Sequence, residues 1–201
     1  MQLIKKYFPE FSSETLQKLE KAMKLHQFWN EKINLISRKD IENIECHHYL
    51  HSLSILKFVD FTDETEVLDV GTGGGFPGLP LAIVLPKVQF FLLDSIQKKL
   101  KVVEEIKKEL NLENVQVIRS RIENYFHKHD ILTARAVTSL PKFIDMVKKN
   151  VKNQILYLKG GDFAEELKEL QIPYQIYDIS KKISEKYFET KKIVSLQVNN
   201  N

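Results

Sequence analysis

Cysteine is nearly absent from this chain of 201 residues: Cys46 stands alone. One thiol excludes an internal disulfide, leaves no second cysteine for a metal site, and fits a reducing compartment. Long apolar runs are missing too. None approaches the ~18–20 residues that a membrane-spanning helix needs, and the run 79–85 is already interrupted by Pro80. The first residues, Met1 to Pro9, hold no apolar core of signal-peptide length. A cytoplasmic protein that keeps away from membranes is the expectation. Nor does one sign of charge dominate. Thirty basic against 27 acidic side chains leave +3, which permits a polyanionic partner without arguing for one. Glycine is also scarce, seven in all, and its distribution is therefore informative: five of the seven stand at 71, 73, 74, 75 and 78.

From Thr65 onward, short β-branched or apolar runs alternate with helix-like stretches. Strands are expected at 66–70, 88–93, 115–119, 131–136, 155–159, 174–179 and 193–198. Helices fit between them at 79–85, 98–110, 141–150 and 163–170. In 98–110 the apolar residues 100, 103, 106 and 110 make a helical stripe with a charged back. Alternation of this kind predicts an α/β fold, a mostly parallel sheet covered on both faces. Residues 1–60 read differently, as a helical N-terminal extension. Ser12 or Ser13 can cap a helix carrying Leu16, Leu19 and Met23; residues 29–38 form a helix end and turn, and a second helix covers 44–59. The expected organisation is this extension on a Rossmann-like domain at 61–201, together forming one structural unit and acting as a monomer.

The glycines follow an apolar run that ends in Asp69, which reads as a buried strand turning sharply into a helix. Glycine is needed there because a Cβ would block both a positive-φ turn and a ligand's approach. Gly73-x-Gly75-x-x-Gly78 matches the dinucleotide fingerprint, with Asp94 about 20 residues on. That pattern does not separate a nicotinamide cofactor from S-adenosylmethionine. Asp69 does, by pointing a carboxylate into the loop: it repels a pyrophosphate and suits a ligand carrying a sulfonium and an ammonium. Asp94, at the end of the second strand, can accept both ribose hydroxyls, or simply cap the next helix. After the third strand, Ile122 and Glu123 can offer a backbone amide and a carboxylate to adenine, with helix capping as the plainer role. Arg135 closes the fourth strand and can hold a methionine carboxylate or steady a substrate; a surface ion pair is the alternative. Lys159, before Gly160 and Gly161, can meet an RNA phosphate or merely end a strand.

Marks of several methyl-transfer classes are missing. No Asn/Asp-Pro-Pro-aromatic run follows the fourth strand, where Ala134-Arg135-Ala136-Val137-Thr138 stands instead, and no cysteine is placed for covalent attack on a pyrimidine. A ring nitrogen with a free lone pair carries no proton to lose, so its methylation needs alignment and not a base. No metal is expected.

Several segments taken together, Trp29-Asn30, Asn34-Leu35, His48, Ser52-Leu53, Asp69 to Pro80, Leu92-Leu93-Asp94-Ser95, Lys98-Lys99, Arg135-Ala136-Val137, Ser139-Leu140 and Lys159-Gly160, resemble the RsmG (GidB) family. These are bacterial methyltransferases of guanine N7 in 16S ribosomal RNA, and the resemblance runs from about Trp29 to Gly160. It implies a Rossmann-like methyltransferase fold, S-adenosylmethionine as cofactor, and 16S rRNA or the small ribosomal subunit as partner. It also implies that Gly71, Phe76, Ile122, Glu123 and Arg135 contact the cofactor. Where the family reads Arg-His-x-x-Asp-Ser, this chain has His47-His48-Tyr49-Leu50-His51-Ser52. The alternatives to such an enzyme are an RNA-binding or assembly module that keeps the cofactor site without catalysis, and a methyltransferase of small molecules or proteins. On the extension, His26, His47, His48 and His51 lie near Lys32, Arg38 and Lys39. They are read as an RNA-facing rim that gains charge as the imidazoles protonate, with Arg38, Lys39, His48 and Lys159 as the RNA contacts.

Overall fold

A computed structural model describes residues 1–198, apart from the side chains of Arg38 and Lys39. Seven strands, β1 (Glu66–Val70), β2 (Gln89–Asp94), β3 (Val115–Arg119), β4 (His129–Arg135), β5 (Val151–Gly160), β6 (Tyr174–Asp178) and β7 (Lys191–Gln197), form one sheet. Their order is β3-β2-β1-β4-β5-β7-β6. The first five run parallel; β7 slots in antiparallel to both β5 and β6. Successive strands travel outward from β1 in one direction and from β4 in the other. The crevice above their carboxyl ends, between β1 and β4, is the switch point where open α/β sheets bind ligands.

Val67, Leu68, Asp69 and Val70 are all buried, as a central parallel strand covered on both faces requires. On one face lie α5 (Gly78–Val84) and α6 (Gln97–Glu109); on the other lies α7 (Leu140–Val147). The expected stripe of α6 is buried through Leu100, Val103 and Ile106. β5 begins four residues earlier than expected; its first turn of polar residues, Lys152 to Gln154, is half-exposed and gave no apolar signal.

The extension is not a separate body. Ser12 Oγ caps α2 (Ser13–Asn30) by accepting from the Thr15 amide at 3.1 Å, and Leu19, Ala22 and Met23 enter the same apolar core as Leu79, Leu81 and Phe90. Asn30 ends the helix and pins the following turn, with Oδ1 accepting from the amides of Leu35 and Ile36, both at 2.9 Å. The short α3 (Arg38–Ile41) follows, capped by Ser37. Residues 45–57 then run as one helical rod whose pitch tightens: a π-helical start at Glu45–Leu50, an α turn α4 at His51–Leu53 and a 3₁₀ end at Ser54–Lys57. Wide π turns of this kind re-aim side chains toward sites. Here they carry His47 and His48, with His51 one turn on, to the ends of β4 and β5.

Candidate cofactor and acceptor site

At the end of β1 the chain folds back on itself through Gly71 (φ +69°), Gly73 (+56°) and Gly75 (+99°). The turn is held from beneath by Asp69, which is wholly buried. Its Oδ2 accepts from Thr72 Oγ1 at 2.6 Å and the Gly78 amide at 2.9 Å, and its Oδ1 accepts from Thr133 Oγ1 at 3.1 Å. Asp69 therefore does not point into the loop as expected. A polar residue in a strand covered on both faces had to find donors inside the protein, and it found them in the turn it supports. Burial pushes this carboxyl up to about 6, against the lowering pull of its three donors.

That shift predicts a pH effect. An unfolded aspartate titrates near 3.9, so the native state keeps its proton to higher pH than the unfolded chain. The stabilisation is complete below about pH 4 and is lost as pH rises through about 6. Asp69→Asn has no such titration. Relative to the parent it should gain on the order of 3 kcal/mol between pH 4 and 7, the equivalent of about two pKa units. Urea midpoints of both proteins across that range read the difference; parallel curves would show that Asp69 is ionised throughout.

A cavity of about 270 Å³ opens above β1, β2 and β3, and its wall includes Gly71, Asp94, Ile122, Glu123, Val137 and Met146. Four of the expected cofactor residues, Gly71, Asp94, Ile122 and Glu123, thus meet in one place. Asp94 Oδ2 accepts from the Gly73 amide at 2.9 Å and Oδ1 from the Ile96 amide at 2.8 Å. A carboxylate offers about four acceptor sites, so each oxygen keeps one for a diol. Leu93, Ile122, Val137 and Met146 give the apolar walls that a purine needs. A Cβ on Gly71 would come within 2.9 Å of Val137 Cγ2, whereas one on Gly73 would meet nothing nearer than the Gly71 carbonyl at 4.0 Å. The cavity and its bare backbone fit S-adenosylmethionine. Val137 and Met146 went unassigned as wall residues in the sequence; α7 supplies Met146, far along the chain from the glycine loop.

Beyond the turn 135–138 lies a second cavity of about 360 Å³, lined by Asp40, His47, His48, His51, Arg135, Thr138, Lys159, Tyr187 and Lys191, among others. The turn itself is pinned by Tyr157, whose hydroxyl accepts from the amides of Val137 and Thr138 and donates to the Thr138 carbonyl. Arg135 is a wall residue here and not in the first cavity. Its Nη1 donates to the His47 carbonyl at 3.1 Å, its Nη2 to His48 Nδ1 at 2.8 Å, and its guanidinium carbon stands 5.1 Å from the Phe76 ring centroid. Phe76, expected against the cofactor, is 4% exposed. Its ring packs among His26, His48 and Tyr49 and serves as the floor under Arg135.

The reading of the histidines as a rim that gains charge does not hold for His26, His48 and His51. His26 is fully buried, with Nε2 on the Gly74 carbonyl at 2.7 Å and Nδ1 on the Tyr49 hydroxyl at 2.7 Å. Burial lowers it to about 4. Burial and then Arg135 lower His48 to about 3, and burial drives His51 well below its ordinary value. These imidazoles stay neutral where a charging rim would titrate. His47 stacks on Tyr187 at 4.0 Å and holds Asp40 at 3.0 Å. Lys159 is likewise not free for a phosphate: Glu166 takes its ammonium at 2.8 and 2.9 Å. The side chains of Arg38 and Lys39 lie outside the described residues. Among the described residues no group of three or more His, Cys, Asp or Glu could hold a metal ion, and no helix is long and apolar enough to cross a membrane.

The chain matches the family described as GidB, rRNA small subunit methyltransferase G, over residues 15–194. It belongs to this family. Among its GidB relatives, the ribosomal RNA small subunit methyltransferase G of Christiangramia forsetii is 45% identical over 204 residues, covering 98% of this chain and 96% of the relative. The Flavobacterium johnsoniae protein of the same name is 46% identical, with 98% and 97% covered. The fold extends beyond GidB proteins. A SAM dependent methyltransferase from Aquifex aeolicus superposes with a TM-score of 0.61 at 17% identity, over 82% of this chain and all of that one. The fibrillarin/Nop5p complex has a chain that matches with a TM-score of 0.56 at 12% identity, over 72% and 78%.

Proposed function

We propose that this chain transfers the methyl group of S-adenosylmethionine to N7 of one guanine in small-subunit (16S) ribosomal RNA, acting as a monomer in the cytoplasm. The observation that carries this reading is the pair of cavities divided by the turn 135–138. One is built for an adenosine, with Asp94 at its ribose, and the other opens toward solvent over the ends of β4 and β5. The bound cofactor supplies an electrophilic methyl on a sulfonium. What the protein adds is alignment. Guanine N7 has a free lone pair, so no side chain must remove a proton, and none here is tuned to do so: half-buried His48 and buried His51 are held too far below their ordinary range to be effective bases, and Lys159 is paired with Glu166. Placing nucleophile, methyl and sulfur in line is worth about 7–11 kcal/mol in favourable cases. Arg135 and Tyr157 keep the dividing turn in one conformation, and the buried Phe76 keeps Arg135 from swinging away.

An arginine bidentate to O6 and N7, the commonest guanine contact, would cover the nucleophile. The base must therefore enter unpaired or flipped, with N7 toward the turn. Arg38 and Lys39, next to Asp40 in sequence, are the proposed contacts to the RNA backbone.

N7-methylguanine makes a strand cleavable by borohydride reduction followed by aniline. Small-subunit RNA from cells with the gene should cleave at one guanine, and RNA from cells without it should not, until the purified protein and S-adenosylmethionine are added back. Methyl label entering RNA that resists this cleavage would count against N7.

A further inference from the structure

We propose that the second cavity is the guanine pocket and that Asp40 reads the Watson–Crick edge of the target base. The assignment rests on the reaction proposed above and adds to it the residue that selects the base. Asp40 projects from α3 into the cavity wall, where two neighbours hold its carboxylate. Oδ2 accepts from Ser37 Oγ at 2.7 Å and Oδ1 from His47 Nδ1 at 3.0 Å. His47 is itself fixed by its stack on Tyr187. Each oxygen retains one acceptor position, and the side chain is 46% exposed. Both hydrogen bonds hold this carboxyl below its ordinary range, so it is an acceptor at neutral pH.

Two adjacent acceptors on a fixed carboxylate match two adjacent donors. Guanine alone among the four bases offers that pair, N1–H beside N2–H₂, on its Watson–Crick edge. Adenine presents an acceptor at N1, cytosine an acceptor at N3, and uracil a single N–H between two carbonyls. Guanine O6 then needs donors on the neighbouring wall. His48 accepts from Arg135 on Nδ1, which leaves its proton on Nε2, and Lys191 lines the same cavity. His51, also in this wall and 4% exposed, keeps Nε2 without a partner in the free protein. N7 lies across the purine from N1 and N2, so a base held by Asp40 leaves its nucleophile uncovered.

The same contact favours the reaction. The N7 lone pair forms the new N–C bond, the C–S bonding pair stays with sulfur, and the positive charge passes from the sulfonium to the purine. A carboxylate on N1–H and N2–H₂ thus faces a neutral base at the start and a cation at the end. An interaction that strengthens along the reaction lowers the barrier.

The test uses 16S RNA carrying either guanosine or inosine, which lacks only the 2-amino group, at the position mapped by aniline cleavage. The parent protein should favour guanosine over inosine in kcat/KM by roughly tenfold or more, the range of a hydrogen bond to a charged group. Asp40→Asn should slow guanosine methylation by at least about tenfold, mainly in kcat, and bring the guanosine-to-inosine ratio close to one. Its melting temperature and S-adenosylmethionine affinity should match the parent. A parent protein indifferent to the 2-amino group, or an Asp40→Asn enzyme that keeps the parent's ratio, would overturn the assignment. A parent that leaves no cleavable guanine in the ordinary RNA would instead overturn the reaction.

Discussion

Gly73→Asn is expected to abolish binding of S-adenosylmethionine while leaving the fold intact, and Gly78→Ala to destabilise the fold sharply. The two glycines belong to one loop and do opposite work. Gly73 has φ +56°, which asparagine tolerates better than any other side chain with a Cβ. A Cβ there meets nothing closer than the Gly71 carbonyl at 4.0 Å, so the protein itself has room for the new side chain, which is expected to obstruct a ligand held on the glycine loop. Gly78 opens α5 against the sheet. A Cβ at this position would overlap Leu92 Cδ2 and stand 2.9 Å from both Asp69 Cβ and Oδ2. Relieving the overlap means moving α5 off β1 and β2 and breaking the hydrogen bond from the Gly78 amide to Asp69. Overpacking alone costs about 1–3 kcal/mol, and an orphaned buried donor adds about 1–3 kcal/mol. That sum consumes much of the ~5–15 kcal/mol that holds a typical domain. Calorimetric titration with the cofactor and a thermal melt separate the cases. Normal cofactor heat from Gly73→Asn would mean that the loop has been misassigned.

Arg135→Leu should fold and yet lose methyl transfer by about 10²-fold, the scale on which a displacement of about 1 Å spoils the alignment of reacting groups. Leucine can lie on Phe76 and remove a buried charge at little net cost. It cannot tie the end of β4 to the His47 carbonyl and to His48. A readout independent of activity is the titration of His48. Arg135 is the second cause of its depression, after burial, and without it the imidazole should move up from about 3 toward, though not to, its ordinary value. An NMR titration of His48 that is unchanged in the variant would show that Arg135 acts elsewhere.

The cofactor side of the site was legible because it is written in strand ends. A glycine cluster after an apolar run, an acid closing the next strand and an Ile-Glu pair after the third are local patterns, and Gly71, Asp94, Ile122 and Glu123 do converge. Asp69 was misread because a strand buried on both faces gives no sign of which way a polar side chain turns. The histidines were misread by their neighbours. His26 sits among lysines in sequence, yet 19, 22, 23, 26 and 30 continue one buried stripe of α2, and that spacing was the better guide. The acceptor side was less legible. Lys159 is neutralised by Glu166, which α8 (Ala164–Lys168) brings back over it. Tyr187 and Lys191 reach the second cavity from more than 135 residues beyond His47, a meeting only the inserted β7 makes possible. The departures from the family's Arg-His-x-x-Asp-Ser run also fall on this wall. His47 and His51 replace a cation and an anion one turn apart, so the wall loses an opposite-charge pair.

The bond from His26 to the Gly74 carbonyl gives the N-terminal extension a thermodynamic role. It joins the helix leading to Asp40 and the RNA contacts with the loop that carries the cofactor, and Phe76 packs both sides of the joint. The helix and the loop are therefore two parts of one hydrogen-bonded unit, and a ligand that shifts either part meets the resistance of the other. Coupling of this kind is reciprocal: whatever factor one ligand adds to the other's affinity, it receives back in full.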